Sequence, residues 1–288
     1  MKGVDVIETI SDIRELVRET KRGGGTVGFV PTMGALHRGH ARLIEQCRSE
    51  VDLAVVSIFV NPTQFGSRED LEKYPRTLES DGELCAEAGA DLIFLPSVEA
   101  MYPSRAETMT YVEVPRLTDI LEGACRPGHF RGVATVVLKL FNITEPDFAY
   151  FGAKDFQQQL VIKRMVADLD LGVKIRTVPT VREPGGLALS SRNRYLNPDE
   201  RKAAAILSEA LGRAKASVTQ GERDANRVRQ LLEETIGLEP SVMLEYAEVA
   251  DAHSLERLDE LTPGRPAVGL LAARVGSTRL IDNETLTE

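Results

Sequence analysis

The chain contains 288 residues, 42% of them hydrophobic, and carries a formal net charge of −9. The length and hydrophobic fraction predict a globular protein with one large domain or two ordinary ones, and the acidic balance disfavours a surface that coats nucleic acid. No segment has the roughly 20 apolar residues of a membrane span, and the N-terminus lacks the apolar core of a signal peptide, so we expect a cytoplasmic protein. Cys47, Cys85 and Cys125 lie far apart and in no CxxC pair, which argues against a disulfide framework or a structural zinc site.

Strand and helix patterns alternate along the first part of the chain. Helical patterns include 40–50 and 155–170, and the second has a candidate apolar stripe of Leu160, Ile162, Met165 and Val166. The alternation predicts a doubly wound α/β sheet, in which ligands bind at the carboxyl ends of the strands. Short apolar runs rich in β-branched or aromatic residues predict its buried parallel strands at 26–30, 51–60, 90–95, 146–151 and 173–179.

The sequence pattern changes beyond the segment REPGG, near Glu183. Residues 197–218 form a charged, alanine-rich helical pattern that begins with the start signal NPDE, and TQGERD then separates two helices. Residues 242–251 and 266–283 alternate apolar and polar side chains around a Gly-Ser turn, which is typical of a small antiparallel sheet. We therefore expect a boundary between domains 1–182 and 183–288, the second of them a smaller α+β domain.

The segment PTMGALHRGH follows the first predicted strand and carries two of the four histidines in the chain. We expect the strand to end at Pro31, Gly34 to loosen the turn and a helix to begin between His37 and Gly39. Such a turn directs free backbone N–H groups and the positive end of the helix toward one point, where a phosphate can bind. The side chains of His37 and His40 would add hydrogen-bond donors there.

Two other interpretations of this histidine pair stay open on the residues alone. The histidines can have a packing or surface role at the start of a helix. They can also bind zinc, because two imidazoles on one helix face can chelate a metal. His129 and His253 are isolated and no third ligand is evident, which weakens the zinc interpretation.

Two further segments are candidates for binding phosphate, although each can also be a solvated turn. In FGAKDFQQQ, Gly152 allows close backbone approach, Lys154 supplies a cation and Asp155 is a plausible N-cap. At most one or two of the glutamines at 157–159 can face the ligand crevice. In LALSSRN, two hydroxyl groups precede Arg192 and can hold phosphate by hydrogen bonds and charge.

Neutral and basic side chains follow two other apolar segments. Asn61 and Gln64 in FVNPTQF are neutral donors and acceptors that suit a hydroxy acid. CRPGHFRG places Arg126, His129 and Arg131 around a Pro-Gly turn, which can bind a carboxylate or phosphate or simply be an exposed basic turn. The acidic residues of YPRTLESD can hold magnesium or face solvent, and solvent is the favoured interpretation.

With these segments taken together, the sequence resembles the pantothenate synthetase (pantoate–β-alanine ligase) family of the HIGH-motif nucleotidyltransferase superfamily. The motifs that carry the resemblance are PTMGALHRGH, SIFVNPTQF, YPRTLESD, LEGACRPGHFRGV, FGAKDFQQ, GLALSSRN and RLIDN. They occur in the order and spacing of the family, from about residue 26 to residue 283, so the match is specific.

The resemblance implies a Rossmann-like N-terminal domain that carries the active site, a smaller C-terminal domain that closes over it, and a homodimer. It implies condensation of (R)-pantoate with β-alanine to pantothenate, using ATP and Mg2+, through a pantoyl adenylate and with release of AMP and pyrophosphate. Neither nucleic acid nor a membrane is an expected partner.

The resemblance also implies the roles of particular residues. His40 would have an acid role and His37 a phosphate role, with Lys154 and Arg192 as cations. Substrate-binding residues would be Asn61, Gln64, Gln158, Arg126 and His129, and Asp81 would be the magnesium candidate. Ala153 stands where the family usually has Glu, so a role of that carboxylate is absent or moved. The ATP site would comprise Pro31, Thr32, Met33, Gly34, Ala35, Leu36, His37, Arg38, Gly39, His40, Gly152, Ala153, Lys154, Asp155, Val181, Leu189, Ser190, Ser191 and Arg192.

Three alternative functions are weighed against this one. A transferase of the same superfamily would move AMP onto a phosphate, but the amides of Asn61, Gln64 and Gln158 suit a hydroxy acid better. A tRNA-charging enzyme also uses a HIGH motif, but the acidic net charge and the absence of an evident anticodon-binding module count against this function. A nucleotide-sensing or metal-binding protein without turnover is the third alternative.

Overall fold

A computed structural model of the protein describes residues 4–66, 71–72, 74–103 and 109–287. The chain forms two compact units, the first comprising Met1–Ala153 and Gln157–Pro179 and the second Lys154–Phe156 and Thr180–Glu288. The second unit thus begins at residue 180, close to the expected boundary at 182/183, and it also includes the short segment around Lys154.

Parallel strands form the sheet of the first unit. Within the described residues it has six strands in the order β1-β4-β3-β2-β5-β6. This confirms the predicted doubly wound α/β sheet, while the sequence patterns missed β1, an edge strand of three residues. The strands are β1 (Asp5–Ile7), β2 (Val27–Thr32), β3 (Leu53–Ile58), β4 (Leu92–Phe94), β5 (Phe148–Gly152) and β6 (Lys174–Val178).

Helices connect these strands, and the predicted stripe on one of them is partly wrong. In α7 the fully buried apolar residues are Val161, Ile162 and Met165, whereas Leu160 and Val166 are only half-buried. The helix turns a different set of positions toward the protein because the buried amides of Gln157 and Gln159 share its inner face. The helices are α1 (Ile10–Arg22), α2 (Arg38–Glu50), α3 (Leu78–Glu87), α4 (Val98–Met101), α5 (Glu122–Cys125), α6 (His129–Thr144) and α7 (Phe156–Asp168).

The direction of strand addition reverses between β2 and β5. From β2 the chain adds β3 and then β4 on one side, and later adds β5 and β6 on the other. β2 and β5 are hydrogen-bonded neighbours, with Gly28 opposite Phe148 and Phe29 opposite Ala149. In an open parallel sheet such a reversal point leaves a crevice at the carboxyl ends of the strands. The segments that follow Thr32 and Gly152 both begin there.

Helix α2 packs on the sheet next to this point. Ile44 and Cys47 are fully buried against Val30 and Val56 of the central strands. A Cβ at Gly28 would lie 2.4 Å from the Cys47 sulfur, so only glycine permits so close an approach of helix and strand. Burial raises the pKa of the Cys47 thiol to about 12, and the thiol therefore behaves as an apolar group.

The second unit packs helices on a small antiparallel sheet, as the sequence predicts, but the helical pattern predicted at 197–218 is divided at Ala205 into two helices. The Asn197 side chain caps the first helix in a capping box with Glu200, which confirms NPDE as a helix start. Within the described residues the strand order is β7-β8-β9, with Gly276 in the turn between the last two. The elements are α8 (Pro198–Ala204), α9 (Ile206–Thr219), α10 (Ala225–Ile236), β7 (Val242–Asp251), β8 (Ala267–Val275) and β9 (Thr278–Thr287).

The helices and the cysteines were both the subject of expectations from the sequence. Among the described residues, none of the helices is long and apolar enough to cross a membrane. Cys47 and Cys85 are buried and Cys125 is exposed, each as a free thiol.

Candidate active site

The PTMGALHRGH segment forms a strand, a turn and a helix at the β2 end of the crevice. The strand continues to Thr32, one residue beyond the predicted end. Gly34 and Ala35 then have positive φ values of 82° and 51°, so the turn uses the left-handed region twice in succession. Helix α2 begins directly after His37, which is its N-cap and lies within the predicted range.

Both imidazoles of this segment are fixed by backbone N–H groups. The Nδ1 atom of His37 accepts from Gly39 N at 3.1 Å, and the Nδ1 atom of His40 accepts from His37 N at 3.2 Å. The two rings lie side by side with centroids 4.1 Å apart. Because an accepting nitrogen carries no proton, each neutral ring has its N–H on Nε2. The arrangement therefore provides two N–H donors beside the positive end of a helix.

Asp81, the predicted magnesium residue, lies under this loop. Its side chain belongs to a residue only 2% exposed, and its two oxygens accept backbone hydrogen bonds from Ala35 at 2.9 Å and Leu36 at 2.8 Å. The hydroxyl of Thr77 adds a third donor at 3.1 Å. Within the part of the chain that the structure describes, no three His, Cys, Asp or Glu side chains group as a metal site. Because three protein donors already bind the Asp81 carboxylate, Asp81 does not fit as a direct ligand of Mg2+. The use of Mg2+ by the protein stays a prediction.

Asn61 and Gln64 lie at the end of β3, where the chain forms a short 3-10 turn, Pro62–Gln64. Both side chains are buried, and Asn61 Nδ2 donates to Gln64 Oε1 at 3.0 Å. Gln64 Nε2 lies 3.0 Å from the sulfur of Met33, which belongs to the PTMGALHRGH segment. The structure thus joins two segments that the sequence predicted separately.

His129 contacts the backbone of the same glutamine, and Arg126 contacts His129. The Nδ1 atom of His129 lies 2.9 Å from the backbone oxygen of Gln64, and Arg126 Nη1 lies 2.9 Å from His129 Nε2. A carbonyl oxygen can only accept, so Nδ1 carries the proton and Nε2 accepts from the guanidinium. Arg131 differs from both, because it is exposed, pairs with Glu113 and stacks on a tyrosine ring. The exposed-turn interpretation therefore holds for Arg131 and fails for the buried His129.

The three consecutive glutamines of α7 have different environments. Gln157 is buried, donates to the backbone oxygens of Leu117 and Ile120 and accepts from the backbone of Glu122. Gln159 is buried and accepts from the hydroxyl of Thr177. Gln158 is half-buried, so it is the one member of the set whose burial suits contact with a ligand.

Lys154 lies in the second unit with the RLIDN segment. Its backbone oxygen accepts a hydrogen bond from Asn283 Nδ2 at 2.7 Å. The neighbouring Asp282 forms a two-pronged ion pair with Arg182, at 2.6 and 3.0 Å. The Lys154 side chain is 15% exposed, with its ammonium 3.6 Å from the Asp155 carboxylate. These contacts anchor the backbone that presents the lysine.

The LSSRN loop is held within the same unit. Leu189 N donates to Val181 O at 2.9 Å, which places two predicted ATP-site residues side by side. Ser190 Oγ accepts from the backbone of Arg192 at 3.3 Å, and the Arg192 side chain is exposed. Asn193, the last residue of the loop, donates from its side chain to the carboxylate of Glu183 at 3.0 Å.

The structure thus arranges the predicted site residues in two groups, one in each unit. Their union into a single ATP site stays a prediction. Sequence reasoning missed three supporting residues. Thr77 and Asn283 lie in the YPRTLESD and RLIDN motifs, which were the signal for them. Tyr102, whose hydroxyl donates to Asn61 Oδ1 at 2.8 Å, has no evident signal in the sequence. The first-unit group contains 31–40, Asn61, Gln64, Asp81, Arg126, His129, Gly152, Ala153 and Gln158, and the second-unit group contains Lys154, Asp155, Val181, Leu189, Ser190, Ser191 and Arg192.

A histidine pair at a helix N-terminus, placed at the reversal point of a parallel sheet, is typical of a nucleotide-binding α/β protein. A family model described as pantoate-beta-alanine ligase matches residues 5–285. The chain belongs to the pantoate–β-alanine ligase family, and it is accordingly an amide-bond-forming ligase. This membership excludes the three alternative functions weighed in the sequence analysis.

Individual relatives agree with that membership. The pantothenate synthetase of Pelotomaculum thermopropionicum is 53% identical over 281 residues, which cover 98% of each chain. A solved pantothenate synthetase of Thermus thermophilus is 46% identical, with a TM-score of 0.92 over 99% of this chain and 100% of that one. A pantoate-beta-alanine ligase of Francisella tularensis, solved as a complex with "Beta-gamma ATP" and β-alanine, is 35% identical, with a TM-score of 0.78 over 99% and 98% of the two chains.

Proposed function

We propose that the protein condenses (R)-pantoate with β-alanine to pantothenate through a pantoyl adenylate, with release of AMP and pyrophosphate. The family membership supports the two substrates, and the Francisella complex supports ATP and β-alanine. The observation that carries the proposal is the pair of Nε2–H donors of His37 and His40 at the N-terminus of α2.

The first step would attach AMP to the pantoate carboxylate, so that AMP can be the leaving group of the second step. A carboxylate oxygen of pantoate attacks the α-phosphorus of ATP, and the bond from that phosphorus to the pyrophosphate oxygen breaks. Negative charge grows on the phosphate oxygens, where the imidazoles of His37 and His40 donate hydrogen bonds and Lys154 and Arg192 supply positive charge. Contacts of this kind are each worth about 3 kcal/mol in a transition state.

His40 would keep its proton throughout this step. Its Nδ1 atom accepts the backbone N–H of His37, so the proton of the neutral ring lies on Nε2. Transfer of that proton would leave an imidazolate anion, which is far more basic than the departing pyrophosphate. We therefore assign His40 a hydrogen-bonding and electrostatic role instead of the acid role that the resemblance implied.

In the second step the neutral amine of β-alanine attacks the acyl carbon of the adenylate. The bond from that carbon to the phosphate oxygen breaks, AMP leaves and the amine loses a proton to solvent. Gln64 and Gln158 would bind pantoate, with Asn61 orienting the Gln64 amide, His129 holding the Gln64 backbone and Arg126 holding His129. Mg2+ would accompany ATP, and no step is assigned to it because Asp81 does not fit as its ligand.

One assay tests the reaction directly. Purified protein is incubated with ATP, Mg2+, β-alanine and pantoate labelled with 18O in its carboxylate, and the nucleotide products are analysed by mass spectrometry. We expect AMP that carries one 18O atom, and pyrophosphate in equal amount. Formation of ADP and phosphate would overturn the adenylate mechanism, and the omission of pantoate should abolish AMP formation.

The resemblance further supports a homodimer in the cytoplasm. Sedimentation equilibrium at micromolar concentration should give a single species of twice the chain mass. A species of the chain mass at that concentration would contradict the proposed dimer.

A further inference from the structure

The turn that leads to the two histidines has a backbone that needs support. Gly34 and Ala35 have positive φ values of 82° and 51° in succession. A residue with a β-carbon is strained in this left-handed region, so Ala35 keeps its conformation only if other contacts hold it. The turn itself sets where His37 caps helix α2.

The carboxylate of Asp81 supplies those contacts. Successive amides after a left-handed residue point the same way and form a small concave site for an anion. Here the anion is part of the protein, because Asp81 Oδ2 accepts from Ala35 N at 2.9 Å and Oδ1 accepts from Leu36 N at 2.8 Å. A Cβ at Gly34 would lie 3.0 Å from Asp81 Oδ2, so the carboxylate is packed against the turn as well as bonded to it.

Asp81 is itself fixed from the other side. It lies in the first turn of α3, where the Thr77 hydroxyl donates to Oδ1 at 3.1 Å. Three donors thus converge on a carboxylate of a residue that is only 2% exposed. A magnesium ion would have to displace these donors or enter a buried volume, which is the physical reason that the magnesium assignment does not fit.

We infer that Asp81 is a positioning residue, which holds the Ala35 and Leu36 amides so that the loop presents His37 and His40, and that it does not bind magnesium. The effect on catalysis rests on the proposed function of the two histidines. The effect on the loop backbone does not, and the two are measured separately.

Asp81→Asn is the main variant, because it preserves shape but has a single acceptor oxygen. Its NH2 group would face one of the two loop amides, so one hydrogen bond is lost and two donors oppose each other. Glu79→Gln is the matched control, since it removes the same charge from an exposed position in the same helical turn. Thr77→Val is a milder variant that leaves the Asp81 carboxylate in place.

Hydrogen exchange of the Ala35 and Leu36 amides, measured without ATP, reports on the loop itself. We expect exchange to be at least about 30-fold faster in Asp81→Asn, the factor for a lost hydrogen bond to a charged group, and close to the native rate in Glu79→Gln. Thr77→Val should give a smaller acceleration in the same direction, and it keeps the test available if Asp81→Asn fails to fold. Unchanged exchange in both Asp81→Asn and Thr77→Val would overturn the inference.

Steady-state kinetics then separate positioning from metal binding. At saturating ATP we expect Asp81→Asn to lower kcat at least about 30-fold, while the Mg2+ concentration for half-maximal rate stays within about twofold. Loss of a true metal ligand would instead raise that concentration at least about tenfold, and this result would overturn the inference. The native protein could make no AMP while Asp81→Asn still exchanges its loop amides faster. That result would keep Asp81 as the residue that holds the loop and would reject the proposed function.

Discussion

Asn61 Nδ2 donates a hydrogen bond to Gln64 Oε1 across 3.0 Å, and the orientation of both amides follows from it. Asn61 Nδ2 also donates to Gly132 O, while its Oδ1 accepts from the hydroxyl groups of Tyr102 at 2.8 Å and Thr63 at 3.0 Å. Asn61 can satisfy these partners in one orientation only. Gln64 must therefore turn its oxygen toward Asn61 and its Nε2 donor away from it.

Substitution of Asn61→Asp should reverse the Gln64 amide. The new carboxylate oxygen would face Gln64 Oε1, so the Gln64 side chain turns over and presents an acceptor to the proposed pantoate carboxylate. We expect the KM for pantoate to rise about 30-fold, equivalent to about 2 kcal/mol, while the KM for ATP changes less than about threefold. Tyr102→Phe removes one of the donors to Asn61 and should raise the KM for pantoate less, by about threefold. An unchanged KM for pantoate in Asn61→Asp would show that Gln64 does not bind it.

Substitution of either HIGH-motif histidine should slow adenylate formation. His40→Ala removes an Nε2–H donor from the N-terminus of α2 and also the Nδ1 atom that accepts from the backbone N–H of His37. We expect the rate of pyrophosphate release in a single turnover to fall about 100-fold or more. Arg42→Ala, an exposed change two residues further along α2, is the control and should keep the native rate. A native rate in His40→Ala would remove His40 from the transition state.

Gly132→Ala tests the close packing of α6 behind the pantoate residues. A Cβ at Gly132 would lie 2.4 Å from the backbone oxygen of Thr63 and 2.7 Å from the Cα of Gln64. Backbone atoms cannot move aside cheaply, so we expect a loss of about 1–3 kcal/mol in the free energy of unfolding. The KM for pantoate should rise as well, because Gln64 is displaced. Gly212→Ala lies in α9 with open space around its Cβ and should instead stabilise the protein by about 1 kcal/mol.

A buried carboxylate in the second unit should make that unit sensitive to acid. Burial alone would raise the pKa of Asp251, but hydrogen bonds from the Arg265 side chain and from the backbones of His253 and Ser254 lower it from 3.8 to about 2. A carboxyl whose pKa is lower in the folded state stabilises folding above its unfolded pKa and loses that contribution as the pH falls. The contribution is about 2 kcal/mol above pH 4 and is lost between about pH 4 and pH 2.

Asp251→Asn should therefore reduce the free energy of unfolding at pH 7 by up to about 2 kcal/mol and remove the corresponding part of its decline below pH 4. Urea titrations followed by circular dichroism at pH 7, 4 and 3 measure both effects. Asp259→Asn is the control, because that side chain is 89% exposed and should change stability by less than about 0.5 kcal/mol. Equal acid sensitivity of the native protein and Asp251→Asn would contradict this account.

Much of the fold follows from local patterns. The five predicted strands are short apolar runs, and each is found within two residues of its predicted start. Four of them are largely buried as predicted, whereas β6 is mostly exposed because it lies at the edge of the sheet. Asn197 predicts the start of a helix because its side chain can cap the free amides there. The strand Asp5–Ile7 was missed because three residues are too few to show a period, and the α7 stripe was misjudged because glutamines share its buried face.

The sequence alone determined that the protein has a doubly wound α/β sheet with a smaller α+β unit, and that its motifs are those of the pantoate–β-alanine ligase family. Strand and helix periods and helix start signals are local properties, and the motifs are read in order along the chain. Only the tertiary structure showed which groups Asp81, Asn61 and Tyr102 bind through hydrogen bonds. Their hydrogen bonds join residues up to 71 positions apart, and whether a carboxylate faces solvent, a metal or a strained loop depends on which distant amides the fold brings to it. The same acidic residue that sequence similarity suggests for magnesium thereby supports the turn on which the two histidines rest.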